Sequence, residues 1–198
     1  MIQHTREQEL NDRLNLIEAM IAEGRQTTAS WGWSFVVWGI AYYVAIAWAT
    51  YGHSSFAWPV TMMATAALTG VIASRQTKRE PETTIGRSIG GVWICLGISL
   101  FVFCLSISLS GHAEQHNFLA AVEVMLGAAN GISAIILRWK PQFLCAGAWW
   151  LAAVLTCFAT ISQSSTIFLV AIFLGQIVFG AWMMFAEARE RKQGVAHA

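Results

Sequence analysis

Glu123 and Asn130 are the side chains best suited to chemistry in the apolar stretch FLAAVEVMLGAANG, residues 118–131. Seven residues separate them, which places them two turns apart on one face of an α-helix, with Gly127 between them. Glu123 is the only acid or base among Asp, Glu, Lys, Arg and His inside any long apolar run of the chain. A carboxyl group in such a run is a candidate for binding and releasing protons.

Polar residues in the other apolar runs lie at a depth that matches these two. They include Thr69, Ser99, Thr156 and Gln176. An unpaired polar group in hydrocarbon is costly, so we expect their faces to point inward and meet Glu123 and Asn130. No Lys, Arg or His lies within the runs, so we expect Glu123 to be neutral. Two interpretations stay open: a polar pathway that uses Glu123, or a structural hydrogen bond between helices.

A second group of titratable residues lies just before the Glu123 segment. His112, Glu114 and His116 alternate there, and His53 occupies an equivalent loop. Imidazole titrates near neutral pH and binds zinc, so the group is a weak metal site, a proton relay toward Glu123, or a set of solvated loop residues. No standard metal motif is present, and the sequence predicts no cofactor.

The elements that must position these residues are apolar runs long enough to cross a bilayer. The chain is 56% hydrophobic and 12% charged, with a mean hydropathy of +0.54. The six runs are 31–50, 57–74, 88–110, 118–137, 142–162 and 166–186. They predict an all-α, polytopic membrane helical bundle with six transmembrane helices in three hairpins, because short links force neighbouring helices to be antiparallel.

The basic residues predict the orientation of this bundle. All twelve Lys and Arg fall before the first run, between the second and third, between the fourth and fifth, or after the sixth. The other three loops have none. The positive-inside rule therefore places both termini in the cytoplasm. The predicted regions are a cytoplasmic helix at 1–28, a transmembrane domain at 29–186 and a cytoplasmic tail at 187–198.

The N-terminal segment has the pattern of an amphipathic helix. Leu10, Leu14, Ile17 and Ile21 are spaced four, three and four residues apart, which makes one helical stripe. Acidic residues outnumber basic ones on the polar side, whereas helices that lie on anionic lipid usually carry Lys and Arg there. We therefore expect the stripe to pack against protein: its own bundle, a second copy of the chain, or a cytoplasmic partner.

The function classes follow from these features. The sequence contains no recognised catalytic constellation, so we expect no enzyme, and a net charge of +1 gives no reason to expect a nucleic-acid partner. A channel-like or transporter-like bundle that passes protons or a small, weakly polar solute along Glu123, Asn130 and Gln176 is the first hypothesis. The alternative is a regulatory or scaffold protein whose N-terminal helix binds a cytoplasmic partner. The expected surroundings are the lipid bilayer and other copies of the chain.

Four short stretches carry a resemblance to known sequences. They are LNLIEAMI at 14–21, WGW at 31–33, Trp38-Gly39, and NGISAIILRWKP at 130–141. In these stretches the chain resembles a group of uncharacterised bacterial six-span membrane proteins. The resemblance covers mainly the first 40 residues and the fourth run with its following loop. It implies a location in the bacterial cytoplasmic (inner) membrane.

Overall fold

The computed structural model describes residues 2–53, 56–77, 84–110 and 114–196, which are almost entirely helical and contain no strand. The helices are α1 (Ile2–Ala29), α2 (Gly32–Gly52), α3 (Ala57–Thr77), α4 (Thr84–Ser110), α5 (Gln115–Leu137), α6 (Lys140–Phe158), α7 (Ile161–Ile172), a π-helical segment (Phe173–Val178) and α8 (Phe179–Ala196). The predicted all-α bundle is confirmed. Six helical stretches of this part of the chain are long and apolar enough to cross a membrane.

The antiparallel pair α5 and α6 forms the most closely packed part of the bundle. Gly127 and Gly131 leave a groove along α5, and the indole ring of Trp150 on α6 fills it. A side chain at either glycine would overlap the ring. The tightest helix pair is thus joined through the link at residues 138–139, although the predicted hairpins α2–α3, α4–α5 and α6–α7 are also in contact.

The continuous rod of α7, the π-helical segment and α8 packs against α2. Gly32 and Gly180 face each other at the crossing of α2 and α8, so the two backbones approach closely. Further along, Gly39 lies against Gln176 and Ile177, and the Tyr43 hydroxyl group donates to the Leu169 carbonyl oxygen at 2.7 Å. Small residues and one partly buried hydrogen bond therefore hold α2 against the last span.

Helices α3 and α4 lie at the periphery. Among the residues whose burial is described, α3 buries only Ala57 and Thr65, and α4 buries only Ile89. The exposed residues of both helices are mostly apolar, as expected for surfaces that contact lipid tails. The core that positions the Glu123 face is accordingly made by α2, α5, α6 and the last span.

Among the residues of α1 whose burial is described, those attached to the bundle lie at its C-terminal end. Gly24 packs against Ile85 and Leu137, and the Arg25 guanidinium group donates to the carbonyl oxygens of Leu137 and Arg138 at 2.7 and 2.8 Å. The preceding apolar stripe is free of these contacts: Leu10, Leu14 and Ile17 are at least 50% exposed, and Ile21 is half-buried. Of the three expected surroundings for this stripe, its own bundle does not cover it.

Candidate functional site

Glu123 lies in the contact between α5 and α6, toward the end far from the link that joins them, and has no exposed surface. Neither carboxyl oxygen has a hydrogen-bond partner among the described residues. Thr156 on α6 is the side chain that interacts with this carboxyl group, but the contact does not reach hydrogen-bond geometry. The hydroxyl group of Thr156 is also buried and unpartnered. A carboxyl group and a hydroxyl group therefore face each other with unused hydrogen-bonding capacity.

Asn130 is the second fully buried polar residue on this face of α5. Its side-chain nitrogen donates to the Leu126 carbonyl oxygen at 2.9 Å, while its side-chain oxygen has no described partner. Since α5 and α6 run antiparallel, seven residues forward from Glu123 on α5 correspond to seven residues back from Thr156 on α6. Asn130 therefore lies at the same depth as the residue seven positions before Thr156. That residue is Trp149, whose indole N–H is likewise buried and unpartnered.

Ser133 and Gln142 continue the same contact toward the link between the two helices. Both are fully buried, and the serine hydroxyl group and both amide atoms of Gln142 lack partners in the described chain. We call Glu123, Thr156, Asn130, Ser133 and Gln142 the α5–α6 polar seam. By the antiparallel register, it spans about 20 Å along the helix axes. Native interiors leave few such groups unsatisfied, and clusters of them call for buried water or an ion.

The π-helical segment borders the seam through Trp149. The indole nitrogen of Trp149 lies directly over Gly175, and the Cys145 thiol group donates to the Gly175 carbonyl oxygen at 3.5 Å. Gln176, in the same segment, is only 3% exposed and packs beside Gly39 of α2. Single turns of π-helix are frequent at functional sites. The structure thus places Gln176 in the core, next to the α2 contact.

Besides Gln176, two of the predicted pathway residues lie outside the seam. Ser99 is exposed on α4, and Thr69 on α3 is half-buried and donates to the carbonyl oxygen of Thr65 at 2.8 Å. The expectation that all these polar faces meet is therefore wrong for both. A Ser or Thr hydroxyl group can satisfy itself on the carbonyl of the preceding turn, so it does not have to face the interior.

The titratable residues around the start of α5 form one close pair, Glu114 and His116, in the described part of the chain. Glu114 is exposed and accepts a hydrogen bond from Asn117 at 2.8 Å, while the His116 ring lies 3.8 Å from its carboxylate. His53 is exposed at the end of α2, and His112 lies outside the described residues. Among the residues described, no group of three or more side chains is arranged to hold a metal ion. His116 remains on the Glu123 face, about 10 Å away along the axis.

Ser133, Gln142 and Trp149 were missed as site residues by the sequence reasoning. Gln142 follows Pro141 at the edge of a predicted span, where a polar residue normally marks the membrane surface. The sequence feature that could have predicted the burial of Gln142 is the short link RWKPQ between the two helices. A tight antiparallel turn sets Gln142 beside the end of α5, and Gln142 is fully buried there.

No protein-family model, curated protein or solved structure matches this chain. Its architecture is compatible with a membrane protein, because six helical stretches meet the length and composition of membrane spans.

Proposed function

We propose that this chain is an integral protein of the bacterial cytoplasmic membrane that conducts protons along the α5–α6 polar seam. In this proposal Glu123 takes up and releases the proton. The observation that carries it is a fully buried carboxyl group, both of whose oxygens lack a partner in the described chain, at one end of a line of equally buried polar groups. An ionisable residue inside the membrane is costly and is usually retained for function.

Protons suit the seam better than a small solute does. A site for a small molecule usually needs a cavity of about 300–1,000 Å³. The seam side chains are instead packed at zero exposure between two closely paired helices. A proton needs only hydrogen-bonding groups and single water molecules, each of which requires two to four polar partners. The unpartnered atoms of the seam supply such partners.

The roles of the seam residues follow from their chemistry. Glu123 is the group that changes protonation state, and Thr156 is placed to donate to or accept from it. His116 stands on the same face of α5, between Glu123 and the end of the helix, where it can pass protons to and from water. The amides of Asn130 and Gln142 do not titrate, so their role is to hold and orient water along the remainder of the seam.

The decisive experiment measures proton flux in proteoliposomes that carry a pH-sensitive dye, driven by a potassium diffusion potential. Glu123→Gln keeps size and hydrogen bonding but removes titration, so we expect an intact fold and a loss of flux of about 100-fold or more, the lower end of the range for removing a proton-transfer group. Ser99→Ala, on the exposed face of α4, is the control and should conduct like the wild type. Wild-type flux in Glu123→Gln would show that the carboxyl group is structural.

A second function is favoured by a different observation. The stripe of Leu10, Leu14 and Ile17 projects from the bundle and stays exposed, with acidic residues beside it. This arrangement supports a regulatory or scaffold role in which α1 binds a cytoplasmic protein through apolar contacts. Leu14→Asp together with Ile17→Asp should leave folding and proton flux unchanged and abolish co-purification of that protein with the full-length chain. Unchanged co-purification would exclude the regulatory or scaffold role and would leave the proposal of proton conduction unaffected.

A further inference from the structure

A depression of about 470 Å³ lies where α5 turns into α6, at the end of the bundle opposite Glu123. Its surface is almost entirely apolar, and two of the residues at its edge are basic. The lining residues are Ala134, Arg138, Trp139, Lys140, Phe143 and Leu144. This end of the bundle also carries Arg25 and is the basic side of the chain. It therefore lies at the membrane surface rather than in the hydrocarbon.

The positive charge at this depression is not neutralised by the described side chains. Arg138 and Lys140 are both exposed, and neither forms an ion pair with any of them. The neighbouring Arg25 uses two of its nitrogens on the carbonyl oxygens of Leu137 and Arg138. Two cations thus flank the depression with their hydrogen-bond donors available to an anion.

Arg138 occupies a backbone position that favours glycine. Its φ and ψ angles are 49° and 43°, in the left-handed region, where it ends α5 and donates its N–H to the helix. Helices commonly end with glycine in this conformation because other residues meet a steric penalty there. A strained position that keeps a long basic side chain points to a role for that side chain.

The apolar wall continues from the depression along α6. Leu144, Leu151 and Leu155 are spaced seven and four residues apart, so they lie on one face of the helix, and each is about half exposed or more. Beside them, Gly147 has no atom within 4 Å of the position of a Cβ. We call this exposed apolar face, with its gap at Gly147, the α6 groove; it begins beside two cations and runs toward the membrane interior.

We propose that this depression binds an anionic phospholipid. Its phosphate lies between Arg138 and Lys140, its glycerol region contacts Phe143, and one acyl chain follows Leu144 and Leu151. A free anion would use the cations but leave the groove empty, whereas a neutral lipid would use the groove but not the cations. Basic pockets at the membrane surface typically bind anionic headgroups in this way. The proposal does not depend on proton conduction.

The test compares retention of phosphatidylglycerol and phosphatidylcholine by the full-length protein in mixed micelles, measured by native mass spectrometry. We expect the wild type to retain one phosphatidylglycerol in preference to phosphatidylcholine. The double variant Arg138→Gln, Lys140→Gln should bind it about 30-fold more weakly, from the usual contribution of two basic residues. The matched control is Arg75→Gln with Arg189→Gln, which removes the same charge at exposed sites and should bind like the wild type.

Two further variants separate lipid binding from folding and from phosphate binding. Arg138→Gly should raise the unfolding temperature, since it relieves the backbone, and yet weaken phosphatidylglycerol binding. Leu151→Asn should weaken phosphatidylglycerol binding while leaving any binding of inorganic phosphate unchanged. The proposal is overturned if the Arg138, Lys140 double variant retains the lipid like the wild type, if the control loses it equally, or if inorganic phosphate displaces the lipid at equal concentration.

Discussion

The indole ring of Trp149 on α6 packs directly onto Gly175 of the π-helical segment, so closely that a Cβ at residue 175 would overlap the ring nitrogen. Trp149 is 1% exposed and lies at the depth of Asn130 in the α5–α6 polar seam. One aromatic side chain therefore links the seam to the last membrane span. The absence of a side chain at residue 175 is what allows the indole to reach this position.

Gly175→Ala should destabilise the protein by about 1–3 kcal/mol, the usual cost of overpacking a filled core. The physical reason is that Trp149 is buried on all sides and has no room to withdraw. Thermal unfolding in detergent measures the effect. Gly147→Ala is the matched control on α6: nothing lies near its Cβ position, so helix propensity should make it neutral or stabilising. Equal behaviour of the two variants would contradict the packing described.

Gly180→Ala should destabilise the protein by at least about 1–3 kcal/mol, because it disturbs the crossing of α2 and α8. A Cβ at residue 180 would lie 2.7 Å from the Gly32 carbonyl oxygen, and the reverse contact measures 2.8 Å. These neighbours are backbone atoms, so no rotamer change relieves the overlap and the two helices must separate. The measurement is again the unfolding temperature, beside Gly70→Ala as a control with open space. A Gly180→Ala protein as stable as the control would mean that the helices do not cross here.

The Glu123 face shows what helical periodicity alone can predict about the site and what it cannot. A seven-residue spacing correctly predicted that Glu123 and Asn130 share a buried face, because both residues belong to one helix and their relation is fixed by helix geometry. Ser99 and Thr69 belong to other helices, and nothing in their own spacing determines how those helices rotate. The partners that do meet Glu123 come from α6, through the tight turn at residues 138–139.

Arg25→Gln should cost about 1.5–3 kcal/mol, the usual range for hydrogen bonds made by a charged group. Arg25 supplies two donors to carbonyl oxygens at the end of α5, where the helix itself leaves them unpaired. It also anchors α1, so hydrogen exchange should rise in residues 22–29. Arg13→Gln is the control: its ion pair with Glu9 is largely exposed, so its loss should cost no more than about 0.5 kcal/mol. Unchanged exchange in Arg25→Gln would exclude the anchoring role.

The α1 stripe shows a second property that residue spacing does not predict, namely what covers an apolar face. The spacing of Leu10, Leu14 and Ile17 predicts which residues share a face, and they do share one on α1. Their pattern carries no information on what covers that face. The contacts that attach α1 come from Gly24 and Arg25, a glycine that admits Ile85 and a cation that finds two carbonyl oxygens. Neither residue is part of the apolar periodicity.

Infrared spectroscopy should detect Glu123 as a neutral carboxylic acid at pH 7. The carboxyl group is fully buried, and no cation of the described chain lies beside it to favour the charged form. The wild type should show a carbonyl stretching band of a protonated acid that Glu123→Gln lacks. Glu114→Gln, at an exposed position, should leave that band unchanged. A carboxylate band assigned to Glu123 would contradict the expectation of a neutral side chain.

The orientation of the bundle is tested by cysteine labelling with a membrane-impermeant thiol reagent in intact cells. Glu114 and Ser162 are exposed at one end, where Gln115 donates to Ser165 at 2.9 Å, and Arg75 is exposed at the end of α3 on the opposite, basic side. Ser164, which the sequence placed in an external loop, is buried inside α7 and is unsuitable.

Single cysteines at these positions, in a protein whose four native cysteines are replaced by alanine, should separate into two classes. Glu114→Cys and Ser162→Cys should react from outside, because the loops at their end contain no Lys or Arg. Arg75→Cys should react only after the membrane is permeabilised. Labelling of Arg75→Cys in intact cells, with protection of the other two, would show that the protein has the opposite orientation in the membrane. The basic depression would then lie at the outer surface. That result would also reverse the direction in which His116 and Glu123 face the cell.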